Sequence, residues 1–142
     1  MPTASEDKLA IKECLYRYSL MVDNRRWELA SEVFSPDGTI DYTSVGSGGG
    51  VGHHQQMLEW LDGALADWPL NLHFITNELI ELNGDRATCT CCFNAPMGRK
   101  HKDGSQTVIT NAGYYRDDLV RTADGWRIEH RVCDMTLQIF PG

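Results

Sequence analysis

No stretch of this sequence approaches the roughly twenty consecutive apolar residues that a membrane-spanning helix requires. The opening Met1-Pro2-Thr3-Ala4-Ser5-Glu6-Asp7 also has no apolar core of the kind a secretory signal carries. No membrane partner is expected, and the expected location is cytoplasmic. Positive charge is scarce as well: 13 Lys and Arg stand against 20 Asp and Glu, a formal charge of -7. That balance argues against a nucleic-acid surface, and the clusters Arg25-Arg26 and Arg99-Lys100-His101-Lys102 read as solvated turn tips. The glycine-rich run Gly46-Ser47-Gly48-Gly49-Gly50-Val51-Gly52 lacks both the lysine of a phosphate loop and the setting of a dinucleotide fingerprint, which leaves a flexible loop. The five cysteines are odd in number, and three crowd into Cys89-Thr90-Cys91-Cys92, where strand alternation cannot supply the paired turns of a zinc site. They read as reduced, mostly buried small hydrophobes. His53, His54 and the carboxylates show no ligand spacing, so no metal is expected.

What is present suits one domain over residues 1–142. Thr3 and Glu6 have capping-box spacing, and Ile11, Leu15, Tyr18 and Val22 form one apolar stripe, predicting a helix over 4–23. A short helix over 27–34 is expected to stop at Ser35-Pro36-Asp37-Gly38, before a strand Thr39-Ile40-Asp41-Tyr42-Thr43. Met57, Leu58, Leu61 and Leu65 predict a third helix ending near Asp67-Trp68-Pro69. From His73 the apolar period becomes two, punctuated by hairpin turns at Asn83-Gly84-Asp85, Lys102-Asp103-Gly104 and Asp124-Gly125. Three helices followed by four long antiparallel strands indicate an α+β domain whose curved antiparallel sheet wraps the N-terminal helices and leaves a cavity between the layers.

Asp23 and His73 are the leading candidates for chemistry. A carboxylate that accepts one imidazole N–H fixes the tautomer, so the other nitrogen becomes a general base. The same residues are also consistent with a helix-ending aspartate and a hydrogen-bonded core histidine. Asn111, between Ile109 and Gly113 on one pleat face, and Arg131, sharing a face with Cys133, Met135 and Leu137, either face the cavity or lie on a wet edge. Tyr18 is equally a core residue of the helix stripe. Trp60, Trp68, Phe74, Phe93, Tyr115 and Phe140 suggest an apolar ligand, although aromatics are also ordinary core.

Several phrases are more distinctive: Tyr18-Ser19-Leu20-Met21-Val22-Asp23 with Trp27, Val33-Phe34-Ser35-Pro36-Asp37-Gly38, Leu72-His73-Phe74, and Gly113-Tyr114-Tyr115-Arg116-Asp117 followed by Gly125-Trp126-Arg127-Ile128. Together they resemble the SnoaL-like group of the cone-shaped nuclear-transport-factor-like superfamily, whose members include scytalone dehydratase, bile acid dehydratase and a lindane dehydrochlorinase. The resemblance implies a cone-shaped α+β barrel, with Asp23 and His73 as a catalytic dyad. It further implies Tyr18, Tyr42, Asn111 and Arg131 as substrate-binding residues, with no cofactor. A second catalytic histidine of scytalone dehydratase has no counterpart near Cys91 to Asn94. The expected function is therefore a lyase or dehydratase acting on an apolar, cyclic or polyketide-like small molecule. The rivals are an isomerase or polyketide cyclase using the same pocket, and a non-catalytic assembly subunit of the ring-hydroxylase small-subunit kind. Polar and apolar residues on both faces of the last three strands suggest a homodimer or homotrimer.

Overall fold

Thr3 starts the first helix, its hydroxyl oxygen accepting the Glu6 backbone N–H at 3.1 Å, while Glu6 and Asp7 place negative charge on the first turn. In the computed structural model, which describes residues 1–141, this helix α1 runs Ala4–Asp23 and buries Ile11, Cys14, Leu15, Tyr18, Met21 and Val22 as one stripe. Its end is a Schellman turn: the Arg26 N–H reaches the Met21 carbonyl at 2.8 Å and the Arg25 N–H the Val22 carbonyl at 3.2 Å. The turn requires a left-handed residue, and Arg25 supplies it with φ 54°. A non-glycine side chain there costs about 1–3 kcal/mol.

The second helical segment is a 3-10 turn, Trp27–Leu29, followed by α2, Ala30–Val33. Strand β1, Phe34–Asp41, begins earlier than the turn residues predict. Ser35-Pro36-Asp37-Gly38 forms a bulge inside β1, where the register to its neighbour jumps between Phe34 and Thr39. A bulge is one of the few places where a sheet tolerates proline. Strand β2, Val51–His53, pairs antiparallel with β1 and runs into α3, His54–Ala64, whose first turn is capped by the His53 ring. The glycine-rich run between β1 and β2 is largely exposed, with close contacts at Gly48 and Gly49. A Cβ on Gly49 would stand 2.3 Å from the Tyr42 carbonyl oxygen, so the chain passes there only because it has none.

The remaining strands are β3, Leu70–Asn71; β4, Phe74–Asn83; β5, Arg86–Lys100; β6, Gln106–Thr122; and β7, Gly125–Ile139. They form a curved seven-stranded sheet in the order β2-β1-β7-β6-β5, with β3 and β4 pairing successive parts of β5. The antiparallel expectation holds for β4 to β7. It fails at β1, which pairs parallel with β7, so the sheet is mixed. The expected barrel is also left unclosed, since β2 stands at one edge and β3 and β4 at the other. Ala87, Cys89, Cys91, Phe93, Ala95 and Met97 alternate inward along β5 and meet the α1 stripe and Leu58 and Leu61 of α3 in one core.

A bulge interrupts β7 between Met135 and Leu137, opposite Gly113 and Ala112 of β6. A Cβ at position 113 would lie 2.0 Å from the Asp134 carbonyl oxygen, which makes glycine obligatory at this crossing. The extra residue reverses the alternation beyond it. Leu137, expected inward beside Arg131 and Cys133, is instead 58% exposed, and Gln138 turns to Asn111.

The far end of α1 is tied to the sheet by Asp7, whose carboxylate accepts two bonds from Arg121, at 2.7 and 2.9 Å, and one from Trp126 Nε1 at 3.1 Å. These donors, Arg121 first, lower the Asp7 pKa to about 2. A carboxylate whose pKa is lower folded than unfolded stabilises the fold above its unfolded value, and that share is lost as pH falls toward its folded value. Asp7→Asn is therefore expected to lower the urea midpoint at pH 7. The gap to the parent protein should narrow progressively from about pH 4 to pH 2. An equal gap at pH 7 and pH 2.5 would contradict the assignment.

Candidate active site

Asp23 is the last residue of α1, and His73 directly precedes β4. The carboxylate takes two bonds from this one partner: Oδ1 accepts from ring Nδ1 at 2.6 Å, and Oδ2 accepts from the His73 backbone N–H at 2.9 Å. An ionised carboxylate can only accept, so Nδ1 carries the proton and neutral His73 is left with an unprotonated Nε2. The two side chains are 6% and 12% exposed, histidine first. The family resemblance implies this pair, where spacing alone leaves both residues open to a structural role, and the fold brings the two together.

His73 lines a cavity of about 210 Å³ between the sheet and α3. Leu61, Leu65, Trp60 and Trp68 close it from the helix side, and Phe93, Ala95, Met97 and Ile109 from the sheet. Val45, Gly46 and Ser47, between β1 and β2, complete the lining. No lysine, arginine, aspartate or glutamate belongs to this lining. Of the aromatics expected near a ligand, Trp60, Trp68, Phe93 and Tyr115 are there. Phe74 and Phe140, 52% and 61% exposed, point away, because Phe74 falls on the outer pleat of β4 and Phe140 lies past the end of β7.

Tyr18 and Tyr42 face the cavity with their hydroxyls hydrogen-bonded to each other, and the Tyr18 ring meets His73 edge-on at 6.3 Å. Burial pushes the Tyr18 phenol up to about 12 and that of Tyr42 well above its ordinary range. Both are neutral hydrogen-bond donors rather than bases. Tyr115, read from sequence only as one more aromatic, is a third such phenol, stacked on Phe93 at 4.5 Å between ring centres. Asn111 also reaches the cavity. Its amide N–H bonds the Met97 sulfur at 3.4 Å, and its carbonyl oxygen accepts from Gln138 Nε2 at 2.9 Å. Strict alternation along β7 conceals Gln138, since only the bulge brings it inside.

Arg131 requires a correction. It is inward, as expected, but it does not line the cavity. Its guanidinium pairs with Asp117 through bonds of 2.7 and 2.8 Å, and both side chains are wholly buried. The rings of Tyr18 and Tyr115, at 4.3 and 3.9 Å from its central carbon, lie over it. Burial works to lower the pKa of this group, but the Asp117 carboxylate more than offsets it, and the pKa stands well above the ordinary arginine value.

Of the two histidines weighed as metal ligands, His53 is engaged through both ring nitrogens, whereas His54 Nδ1 is buried without a hydrogen-bond partner among the described residues. His53 donates from Nε2 to the Pro36 carbonyl at 2.7 Å and caps α3 through Nδ1, while His54 stacks on Phe34. Among the described residues no three His, Cys, Asp or Glu side chains group so as to hold a metal ion. All five cysteines are free thiols, with Cys92 alone partly exposed. No described helix is long and apolar enough to cross a membrane.

A family model described as the SnoaL-like domain matches residues 3–132. An uncharacterized protein of Mycobacterium tuberculosis is 38% identical over 127 residues, covering 89% of this chain and 83% of that protein. Among solved structures, a candidate aromatic ring hydroxylase from Novosphingobium aromaticivorans superposes with a TM-score of 0.80 at 23% identity, covering 99% of this chain and 96% of the other. A hexachlorocyclohexane dehydrochlorinase gives 0.78 at 16% identity, covering 95% and 88%. A candidate scytalone dehydratase from Novosphingobium aromaticivorans gives 0.75 at 18%, covering 95% and 87%. At these identities the structural likenesses establish the fold.

The Arg131–Asp117 pair gives a prediction of its own. Asp117→Ala strands a buried guanidinium and is expected to cost about 3–5 kcal/mol in urea denaturation. The double substitution Arg131→Met with Asp117→Leu should recover much of that loss. A single-variant cost below about 1 kcal/mol would mean the pair is hydrated and not sealed.

Proposed function

We propose, from the premise that this chain belongs to the SnoaL-like family, that it is a lyase of the dehydratase type acting on an apolar, cyclic small molecule. One observation carries the reading: the His73 ring is anchored through Nδ1 on Asp23 and belongs to the lining of a cavity that has no lysine, arginine, aspartate or glutamate. In the proposed step Nε2 removes a proton from a carbon beside a carbonyl or comparable activating group. The C–H electron pair moves onto the activating oxygen, and Tyr18 or Tyr42 donates a hydrogen bond to the charge that develops there. The electrons then return to expel a hydroxide or halide from the β-carbon; the imidazolium gives its proton to a leaving hydroxide, making water, or to solvent when a halide leaves as the anion. Asp23 stabilises the imidazolium between those two events. Asn111 is the residue assigned to the leaving group, because Tyr18 and Tyr115 screen Arg131 from the cavity. No cofactor has a role in this scheme.

An isomerase or cyclase would share the first half and omit the expulsion. The fold likeness to a candidate ring hydroxylase keeps an assembly role as the reading from another class. Solvent deuterium separates these possibilities. With a panel of neutral cyclic β-hydroxy ketones in deuterated buffer, the lyase releases water and gives an enone, whereas an isomerase or cyclase incorporates deuterium without that mass loss. A non-catalytic subunit does neither.

On the responsive substrate, His73→Ala is expected to lower turnover by about a hundredfold to ten-thousandfold. Asp23→Asn should be comparably severe, since an amide accepts the ring N–H but does not offset the imidazolium charge. Tyr42→Phe should cost less, because Tyr18 or water partly replaces its bond. Near-normal turnover by a folded His73→Ala protein would return the histidine to a structural role. A homodimer or homotrimer is also proposed, supported by exposed Leu72, Phe74, Leu137 and Ile139 on the outer side of the sheet. Sedimentation of a monomer at micromolar concentration would contradict it.

A further inference from the structure

Arg25 and Asn77 are the two non-glycine residues with positive φ among those described. Asn77 sits at the bulge of β4, and asparagine tolerates that region. Arginine has no such tolerance, and a glycine would close the same Schellman turn without strain. What the arginine adds is a side chain. Its Nη1 donates to the Val22 carbonyl and to Asn71 Oδ1, each at 2.7 Å. Its Nη2 donates to the Trp68 carbonyl at 2.9 Å and, more weakly, to the Leu65 carbonyl at 3.3 Å. Asn71, itself 7% exposed, spends its amide N–H groups on the Trp68 and Leu70 carbonyls, both at 2.8 Å. One guanidinium therefore joins the end of α1, the turn after α3 and strand β3.

The positions of these contacts relate them to the site. Arg25 stands two residues after Asp23, and Asn71 two residues before His73, so the Arg25–Asn71 bond runs alongside the Asp23–His73 bond as a second tie between the same two segments. Leu65 and Trp68, which the other arm holds, belong to the cavity lining. Backbone strain of this kind persists where surrounding contacts over-determine it, and such places cluster at functional sites. We propose that Arg25 is the positioning residue of the dyad: its fork fixes the segment bearing Asp23 against the segment bearing His73, which keeps Nδ1 on the carboxylate and Nε2 turned to the cavity. The fork geometry matters, because the ammonium of a lysine offers its donors from a single point and cannot span acceptors on three segments.

The proposal rests on the reading of Asp23 and His73 as an oriented base, and its test keeps the two apart. Protein labelled with nitrogen-15 in histidine is compared by NMR near neutral pH, with His73 assigned by its loss in His73→Gln. The parent protein should show one protonated and one unprotonated ring nitrogen for His73, held as a single tautomer. In Arg25→Ala, checked as folded by circular dichroism, the two resonances should converge as the tautomers mix. Asp7→Asn, which loosens the opposite end of α1, serves as the control and should leave the His73 pattern intact. A parent-like His73 pattern in folded Arg25→Ala overturns the proposal and leaves the arginine as a fold element only. The same holds if Asp7→Asn shifts His73 as far as Arg25→Ala does. Should Arg25→Ala fail to fold, Asn71→Ala removes one arm of the fork, and an unchanged His73 pattern there is equally fatal. Asp23→Ala tests the underlying reading separately, since it removes the acceptor of the ring N–H, and an unchanged His73 pattern in that folded variant defeats the dyad whatever Arg25 does.

Discussion

A carboxylate on the last residue of a helix sits at the unfavourable end of the macrodipole, and Asp23 holds that position because His73 offers it both a ring N–H and a backbone N–H. The double bond has consequences well beyond the pair. Since the backbone N–H is one of the two donors, the place where the chain enters β4 is fixed against the end of α1, and with it the register of Phe74 opposite Asn94. The side chain of His73 is thereby held in the lining of the cavity, to which Phe93, Ala95 and Met97 of β5 also belong. The geometry of the candidate base and the seating of the sheet on the helix are one constraint.

The second constraint lies deeper. Arg131 and Asp117 are direct cross-strand partners on β7 and β6, both inward and both without solvent. A buried pair of this kind contributes little net stability compared with an apolar pair of the same shape. Its placement accounts for it better than its energy does, since the guanidinium lies under the rings of Tyr18 and Tyr115, within cation–π distance of each. The cation is compensated by its own carboxylate behind the tyrosine layer, so the cavity surface remains uncharged while the phenols stay protonated and able to donate.

Sequence reading recovered the parts of this molecule that depend on local period. The α1 stripe, its Thr3 cap and the inward alternation of β5 are written in neighbouring residues, as is the change of period at His73. It missed the features that depend on what lies opposite. Pro36 and Gly38 look like the end of one element and the start of another, because a bulge and a turn use the same residue types. The parallel pairing of β1 with β7 joins residues about ninety positions apart, with no local signature. Gln138 was hidden for the same reason. Only the approach of the Asp134 carbonyl to Gly113 reveals why β7 slips there, and the slip exchanges Leu137 for Gln138 on the inner face. Alternation leaves Arg131 open between the cavity face and a wet edge and is silent on its partner, and the residue that the resemblance implies at the ligand stands behind those that line the cavity.

The electrostatics of the cavity follow from these placements. An imidazole that gains a proton beside a mostly apolar lining creates a charge that such a lining screens poorly. Asp23 meets it from one side, at 2.6 Å from Nδ1. On the other side no fixed carboxylate belongs to the lining, so nothing in the protein competes with a substrate anion for the new cation. Arg131 does not repel the imidazolium appreciably, since Asp117 cancels its charge at 2.7 Å. In the proposed reaction Asp23 offsets the imidazolium, so the anion left on the substrate is the one charge without a fixed partner in the lining. The tyrosine hydroxyls are the donors that line the cavity for that anion. On that proposal the arrangement suits a base that works on neutral molecules better than a pocket that collects acids.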